Sequence, residues 1–409
     1  MTRTTTGSRS AVSWHALLSI YLPALVLALG TGIALPAIPT LAKSFGVSFG
    51  AASGVVTAFL VGNLIGTLPA GWLIDRFGRR VVLIGGPLLT SAGALLIAVV
   101  HSFPELLVLR FLDGVAAQLW LMGRLAAISH GAAAGQRGRE VSWMFGMNNA
   151  GLLFGPVVGG FIAAGWGPRA TFVAYAILAL LALVPTSALA EDTPHHTRAE
   201  RRARKADNTD ARKLSIREIV QPRLSYFGVA LFAGLTRGPV SANLLHLYAA
   251  FAYQLGPRQI GYLGTGAAVL SLPIGFLAGW MMDRYGRKRT MVPGFTGVAV
   301  AMAALAVSAY LLLPLVWYVA LFLTGVAFQA LTGGSIQTVG ADVAPPEARG
   351  MFLGLWRFTG QGGATLSPIV FALLADRINY GSAFVFIAAS AAVVAVLLIR
   401  YVPETRTPT

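Results

Sequence analysis

The chain has 409 residues, of which 56% are hydrophobic and 11% are charged, and its mean hydropathy is +0.70. A soluble domain carries roughly 25% charged residues, so this composition excludes an ordinary soluble protein. The formal net charge is +16, and the absence of cysteine excludes disulfides, thiolate metal sites and cysteine nucleophiles.

Apolar runs of about 20 residues recur along the whole chain, and each is near the length that crosses a hydrocarbon core. In chain order we place twelve, at residues 14–39, 51–74, 81–100, 105–129, 141–164, 170–189, 226–250, 260–282, 291–313, 315–339, 351–375 and 382–402. The first run is too long for a signal-peptide core, so we interpret it as a span. The sequence predicts an all-α integral membrane protein with 12 transmembrane helices.

The basic residues are unevenly distributed among the predicted loops. If the amino terminus is cytoplasmic, 23 Lys and Arg fall on the inside, 4 on the outside and 4 within spans. This positive-inside pattern predicts a multi-pass protein of the cytoplasmic (inner) cell membrane with both termini in the cytoplasm. Because it also accounts for the net charge, we expect no nucleic-acid partner.

A long polar segment, residues 191–223, separates the predicted spans into two sets of six. We therefore expect an N-terminal six-helix bundle over residues 1–190, a cytoplasmic basic linker over 191–223 and a C-terminal six-helix bundle over 224–409. The linker is attracted to anionic headgroups whether it is a solvated tether or a regulatory element. Near its end, Ile216, Ile219 and Val220 are expected to face lipid from a short interfacial helix.

One charged decapeptide occurs twice, half a chain length apart. "GWLIDRFGRR" at residues 71–80 returns as "GWMMDRYGRK" at 279–288, with six identical positions. An Arg-Gly pair precedes the fifth span at Arg137 and the eleventh span at Arg349. This register indicates duplication into two pseudo-symmetric six-helix bundles around a midplane site.

Three motifs resemble those of the major facilitator superfamily, and the resemblance covers essentially the whole chain. They are the repeated decapeptide, the Arg110-Phe-Leu-Asp-Gly114 run in the fourth span, and "GLLFGPVVGG" at residues 151–160 in the fifth. The third is similar to a signature of the drug and metabolite efflux branch, whose members are proton antiporters. The resemblance implies the major facilitator fold and favours efflux, but it does not indicate the substrate.

The decapeptide is expected to act as a conformational latch at the inner membrane surface. Gly71 lies one turn before Asp75, so a neighbouring helix can approach and present its N-terminal amides to the carboxylate. The resemblance implies that this neighbour is the eleventh span; the alternative is a basic loop that only fixes topology. The expected latch residues are Gly71, Asp75, Arg76, Gly78, Arg79, Arg80, Gly279, Asp283, Arg284, Gly286, Arg287, Lys288, Arg137 and Arg349.

The fifth span carries a helix-packing motif. Glycines at every fourth position line one helix face, and the proline within the motif removes a backbone hydrogen bond and permits a bend. We expect this span to pack closely and to shift, although ordinary small-residue packing is an alternative. The motif residues are Gly151, Gly155, Pro156, Gly159 and Gly160.

Charged side chains inside the spans are the candidate substrate and proton path, because each costs about 2.5 to 3.5 kcal/mol near the bilayer centre. Arg110, Asp113 and Arg124 share one face of the fourth span. Asp113 is a deep carboxylate that either takes up a proton or forms a permanent ion pair with Arg110. The full candidate set is Arg110, Asp113, Arg124, Arg237, His246 and Arg357. The alternative for Arg357 is that its side chain only extends to the membrane interface. The alternative for His246 is that it only forms a hydrogen bond to a neighbouring helix.

The sequence favours a secondary active transporter working by alternating access, with proton-coupled efflux of a small drug-like or metabolite molecule. Because one acid cannot balance these arginines, the alternative is a uniporter, exchanger or flippase for an organic anion or a lysolipid-like amphiphile. A non-transporting membrane sensor is a further alternative, for which a soluble signalling domain is expected. We expect no enzymatic activity, no cofactor and no metal. The expected partners are a small molecule, which is anionic in the alternative, together with protons and membrane lipids, and the expected state is a monomer.

Overall fold

The computed structural model describes residues 17–131, 137–189, 215–241 and 243–404, and within these ranges the regular structure is helical. A π-helical turn at Leu17–Tyr21 leads into the first span. The first six long helices are α1 (Leu22–Ser44), α2 (Phe49–Phe77), α3 (Arg79–Ala98), α4 (Phe103–Gly131), α5 (Arg137–Trp166) and α6 (Pro168–Leu189).

The second set begins with α7, which has two pieces, Leu224–Ser241 and Leu244–Ala252. The others are α8 (Pro257–Tyr285), α9 (Arg287–Tyr310), α10 (Leu315–Val343), α11 (Arg349–Arg377) and α12 (Tyr380–Tyr401). Eleven helices in the described ranges are individually long and apolar enough to cross a membrane, and α7 supplies the twelfth crossing in two pieces. The prediction of an all-α membrane protein with 12 spans is confirmed.

Two further spans are interrupted as well, each at residues that disfavour a continuous helix. Pro36 separates Leu22–Ala34 from Ala37–Ser44 in α1, because proline lacks the backbone donor of a regular turn. Gly333 and Gly334 separate the two pieces of α10. Irregular backbone within a membrane is tolerated where it is buried in protein or lines a watery cavity. Pro36 is buried in protein, whereas Gly333 and Gly334 are exposed.

The two sets of six helices pack in the same way. In the first set α1 packs on α5 and α6, α4 packs on α2 and α3, and α3 packs on α6. The same pairs recur in the second set when every helix number is raised by six. The sets, called here the N half and the C half, join mainly through α2 with α11 and α5 with α8.

The end at which α1 finishes and α2 begins is called here the outer end, because the loop charges predict that it faces away from the cytoplasm. The opposite, inner end carries both copies of the decapeptide. There Gly78 ends α2 with φ 86°, and Gly286 ends α8 with φ 100°. These positive φ angles explain why the motif has glycine at this position in both copies.

A short helix, Ile216–Val220, precedes α7, and the Ser215 and Glu218 side chains cap its start. Ile219 is fully buried in an apolar cluster with Phe227 and Phe352, whereas Ile216 is exposed. The expectation that Ile219 faces lipid is therefore wrong, because α7 and α11 cover it. Most of the predicted linker, residues 190–214, lies outside the described residues.

Candidate transport site

Arg110 and Asp113 form a buried ion pair on α4. They lie one turn apart, so both side chains project from the same face, and the Arg110 Nη1 contacts Asp113 Oδ2. Their exposed fractions are 7% and 3%. The Arg110 guanidinium also lies 4.7 Å from the centre of the Phe59 ring on α2. Each charge is thus balanced by the other in an apolar setting.

Tyr175 on α6 completes this site, and sequence reasoning missed it. Its buried hydroxyl adjoins the Asp113 carboxylate and accepts a hydrogen bond from Thr31 on α1 at 3.2 Å. Asp113 Oδ1 is buried and has no hydrogen bond of good geometry to any described residue. One carboxylate oxygen is therefore held by Arg110, while the other remains available to a proton. Nothing in the apolar run around Tyr175 signals this role.

Arg124 lies further along the same face of α4 and is 5% exposed. Its guanidinium lies 5.0 Å from the centre of the Trp120 ring. Its Nε and Nη1 atoms are buried without a hydrogen-bond partner in the described part of the chain. The structure therefore separates Arg124 from Arg110, because only Arg110 has a carboxylate.

The remaining candidates lie in the C half, and the structure does not bring them into contact with Arg110 or Asp113. Arg237 is half-buried on the first piece of α7, and Arg357 is exposed on α11. His246, on the second piece of α7, is 5% exposed and meets Phe322 edge-on at 5.4 Å. Neither of its ring nitrogens has a partner among the residues that the structure describes.

At the outer end, Asp376 of α11 caps the start of α2 across the two halves. Its carboxylate accepts from Ser48 Oγ at 2.7 Å and from the Gly50 backbone amide at 2.9 Å. A helix N-terminus stabilises an anion, so this contact resembles in chemistry the latch expected of Asp75 at the inner end. Lys43 adds a second contact between the halves, donating to the Ala250 carbonyl at 3.4 Å and to the Gln254 side chain.

Aromatic side chains cover the space behind these polar contacts. Phe49 of α2 meets Phe251 at 5.8 Å, Phe371 at 6.0 Å and Tyr380 at 5.1 Å between ring centres. Phe49 is 3% exposed. The outer end is therefore closed by a packed cluster to which both halves contribute.

The packing motif of α5 joins two neighbours. A Cβ atom at Gly155 would lie 2.5 Å from the Gly32 Cα, so α1 and α5 touch through their backbones. On the other side, Thr265 of α8 inserts where Pro156 interrupts the backbone ladder. Its hydroxyl accepts from the Val157 amide at 3.1 Å and donates to the Leu153 carbonyl at 3.2 Å. A C-half side chain thus stabilises the interrupted turn of α5.

The inner end differs from the outer end. A Cβ atom at Gly71 or Gly279 would meet nothing within 4 Å. No hydrogen bond or ion pair between the described residues links Asp75 to Arg349, and the Arg137 side chain lies outside the described part. Arg76 and Arg284 each lie over the Trp of their own decapeptide, at 5.7 and 5.6 Å.

Other motif residues at the inner end make contacts within their own half. Arg287 pairs with Asp342 at 2.9 Å, and Glu404 accepts from the Arg287 and Lys288 amides. Among the described side chains, the hydrogen bonds and ring contacts between the halves lie at the outer end or midway along α5 and α8.

Two pseudo-symmetric six-helix bundles with charged residues buried inside them define a multi-pass membrane transporter. The family model of the Major Facilitator Superfamily matches residues 20–241 and 224–409. The chain belongs to this superfamily. It is a transporter and not an enzyme.

Relatives and solved structures agree with this assignment. The quinolone resistance protein NorA of Staphylococcus aureus (strain MRSA252) is 24% identical over 250 residues, 61% of this chain and 62% of that protein. The match thus spans less than two thirds of the NorA length. The class B tetracycline resistance protein of Escherichia coli is 26% identical over 362 residues, 85% of each chain.

Solved structures show the same fold. A D-xylose-proton symporter has a TM-score of 0.77 at 21% identity and covers 96% of this chain and 98% of its own. A POT family transporter in complex with 5-aminolevulinic acid has a TM-score of 0.79 at 11% identity, with 98% of both chains covered.

Proposed function

We propose that this protein is a secondary active transporter of the inner membrane that exports a small drug-like or metabolite molecule in exchange for protons. The observation that carries the proposal is the buried Arg110–Asp113 pair, whose carboxylate adjoins the Tyr175 hydroxyl. The similarity to a quinolone and a tetracycline resistance protein supports efflux.

In this proposal the protonation of Asp113 changes with conformation, because alternating access changes whether water reaches the site. When water reaches the site, the charged carboxylate is solvated; when the site is dry, its charge depends on Arg110 alone. A proton on Asp113 releases Arg110 from its partner and leaves an uncompensated charge next to Phe59. Proton uptake and release are thereby coupled to the packing of α4 against α2.

The cycle requires that the outer end open when the inner end closes. Asp376 and Lys43 hold the outer end shut in the inward-open form, and the decapeptides supply the corresponding contacts when the inner end shuts. In this proposal the loop charges orient the inner end toward the cytoplasm, with both termini there.

The test is flux in proteoliposomes that contain the full chain. A pH gradient, acid outside, is expected to drive export of a quinolone or tetracycline probe, and Asp113→Asn is expected to abolish driven flux while sparing exchange at equal pH. Glu105→Gln is the matched control, because Glu105 is exposed and bonds only its own helix start. Driven flux unchanged in Asp113→Asn would remove this residue from coupling, and flux that ignores the gradient in the unmodified protein would contradict antiport.

A further inference from the structure

The span arginines differ in how their charges are balanced, and this difference points to a ligand. Arg110 has Asp113, whereas Arg237 is half-buried and Arg357 is exposed. Arg124 is buried, with Nε and Nη1 unpaired among the described residues. A guanidinium does not lose its proton in a protein, so Arg124 remains a buried cation.

The described residues do not complete this site. The Trp120 ring faces the guanidinium and offsets part of the cost of burying its charge. Asp113 lies eleven residues earlier on the same helix, about 16 Å away, and is occupied by Arg110. An unpaired buried charge is costly, so an anion from outside the chain is the missing partner.

The position of Arg124 gives such an anion a route. The face of α4 that carries Arg110 and Arg124 meets Phe59 of α2 at Arg110. Between the two arginines, Ala117 and Leu121 on this face are partly exposed. Arg124 is also nearer than Asp113 to the inner end.

We propose that Arg124, backed by the Trp120 ring, binds the anionic group of the transported molecule, so that the cargo is an organic anion with a carboxylate or phosphate group. The planar fork of a guanidinium matches both groups. This inference rests on the proposed transport function and adds the charge of the cargo to it. An anionic lipid headgroup presents the same chemistry, so the experiment separates the two sources.

Thermal unfolding of the purified full chain tests the charge preference without transport. The probes are 2-naphthoate, 2-naphthamide and 2-naphthylmethylammonium, which share one ring system and differ in charge, together with inorganic phosphate. We expect the unmodified protein to be stabilised by 2-naphthoate more than by the other two ring compounds. Arg124→Gln is expected to weaken naphthoate binding about 10- to 100-fold, the range for loss of a charged hydrogen bond, and to leave naphthamide unchanged.

Three further variants test whether a loss of binding comes from misfolding or from a general charge effect. Arg124→Lys keeps the charge but loses the fork, and an intermediate naphthoate affinity is expected. Arg400→Gln removes an exposed arginine at the inner end of α12, and no change is expected. Arg124→Met is expected to unfold at a higher temperature than the unmodified protein in anion-poor buffer, because it removes an unpaired buried charge.

Some outcomes of these experiments would overturn the proposal, and others would sustain it. No naphthoate response in the unmodified protein up to about 10 mM, or an equal response in Arg124→Gln, overturns the proposal. Repeating the titration in nanodiscs with and without phosphatidylglycerol shows whether the anion at Arg124 comes from cargo or from lipid. If the anionic lipid abolishes naphthoate binding, a lipid headgroup occupies Arg124, and the assignment of an anionic cargo is wrong. Charge-selective binding without gradient-driven flux would sustain this inference while the proposed antiport fails.

Discussion

At the scale of single residues, the sequence predicts the charged members of the site well and the neutral members poorly. Arg110, Asp113 and Arg124 are conspicuous because charge is rare inside an apolar run, and helical spacing places them on one face. Tyr175 and Thr265 are uncharged, and each contacts a residue far away in the chain. Only the packing of α6 on α1 and of α8 on α5 reveals them.

Tyr175→Phe removes the hydroxyl that lies between Asp113 and Thr31. We expect gradient-driven flux to fall about tenfold, in keeping with the loss of one buried hydrogen-bonding group, while cargo binding stays unchanged. Tyr310→Phe is the matched control, because the Tyr310 hydroxyl meets Ser382 at the exposed outer end of α9. Flux measured in parallel for both variants checks this, and equal losses would contradict a specific role for Tyr175.

At the scale of helices, the sequence predicts where spans lie and misses how some are interrupted. The break in α1 follows directly from Pro36, whereas the first piece of α7 continues past Pro239 to Ser241, and Asn243 before the second piece has a φ of 64°. Likewise the glycine spacing of α5 predicts a close neighbour without identifying it. The structure identifies α1 on one side and α8 on the other.

Gly155→Ala tests the contact between α1 and α5. The added methyl meets the Gly32 backbone, and overpacking of this kind costs about 1–3 kcal/mol, so a lower unfolding temperature is expected. Gly85→Ala on α3 is the control, because a Cβ there meets nothing within 4 Å. The unfolding temperatures of both variants, measured by size-exclusion chromatography after heating, check the prediction. Equal unfolding temperatures would contradict it and would mean that α1 moves to accommodate the added methyl group.

Asp376→Asn tests the closure of the outer end. Loss of the carboxylate weakens two hydrogen bonds to α2, so the outer end is expected to open about tenfold more often. Because the chain has no cysteine, Ala250→Cys provides a single labelling site in the closed cluster. The rate of reaction with a membrane-impermeant maleimide measures opening. Glu105→Gln in the same background is the control, and an unchanged rate in Asp376→Asn would show that the aromatic cluster alone keeps the end shut.

At the scale of the whole molecule, the duplication seen in the decapeptides predicts much of the architecture. The decapeptides lie 208 residues apart and Arg137 lies 212 residues before Arg349, and this near-equal offset is matched by equal helix pairing in the two halves. The duplication does not predict the conformation, because the decapeptide sequence is the same whichever end is open. The contacts of Asp376 and Lys43 show only that the two halves meet at the outer end.

Asp75→Asn is expected to have the opposite effect to Asp376→Asn. If Asp75 caps α11 when the inner end shuts, its loss favours the inward-open form and slows maleimide labelling at Ala250→Cys. The double variant is expected to recover a rate near that of the unmodified protein. Labelling rates of the four combinations check this; a double variant that labels as fast as Asp376→Asn alone would contradict a role for Asp75 in closure.

The cap that Asp376 places on α2 has a thermodynamic consequence. If Asp75 forms the equivalent cap on α11, the two caps are mutually exclusive, because each requires α2 and α11 to meet at a different end. The resting population then depends on the difference between two similar energies, and about 1.4 kcal/mol on either side changes the ratio tenfold. A single carboxylate at each end would thus be enough to tune which side of the membrane the empty transporter faces.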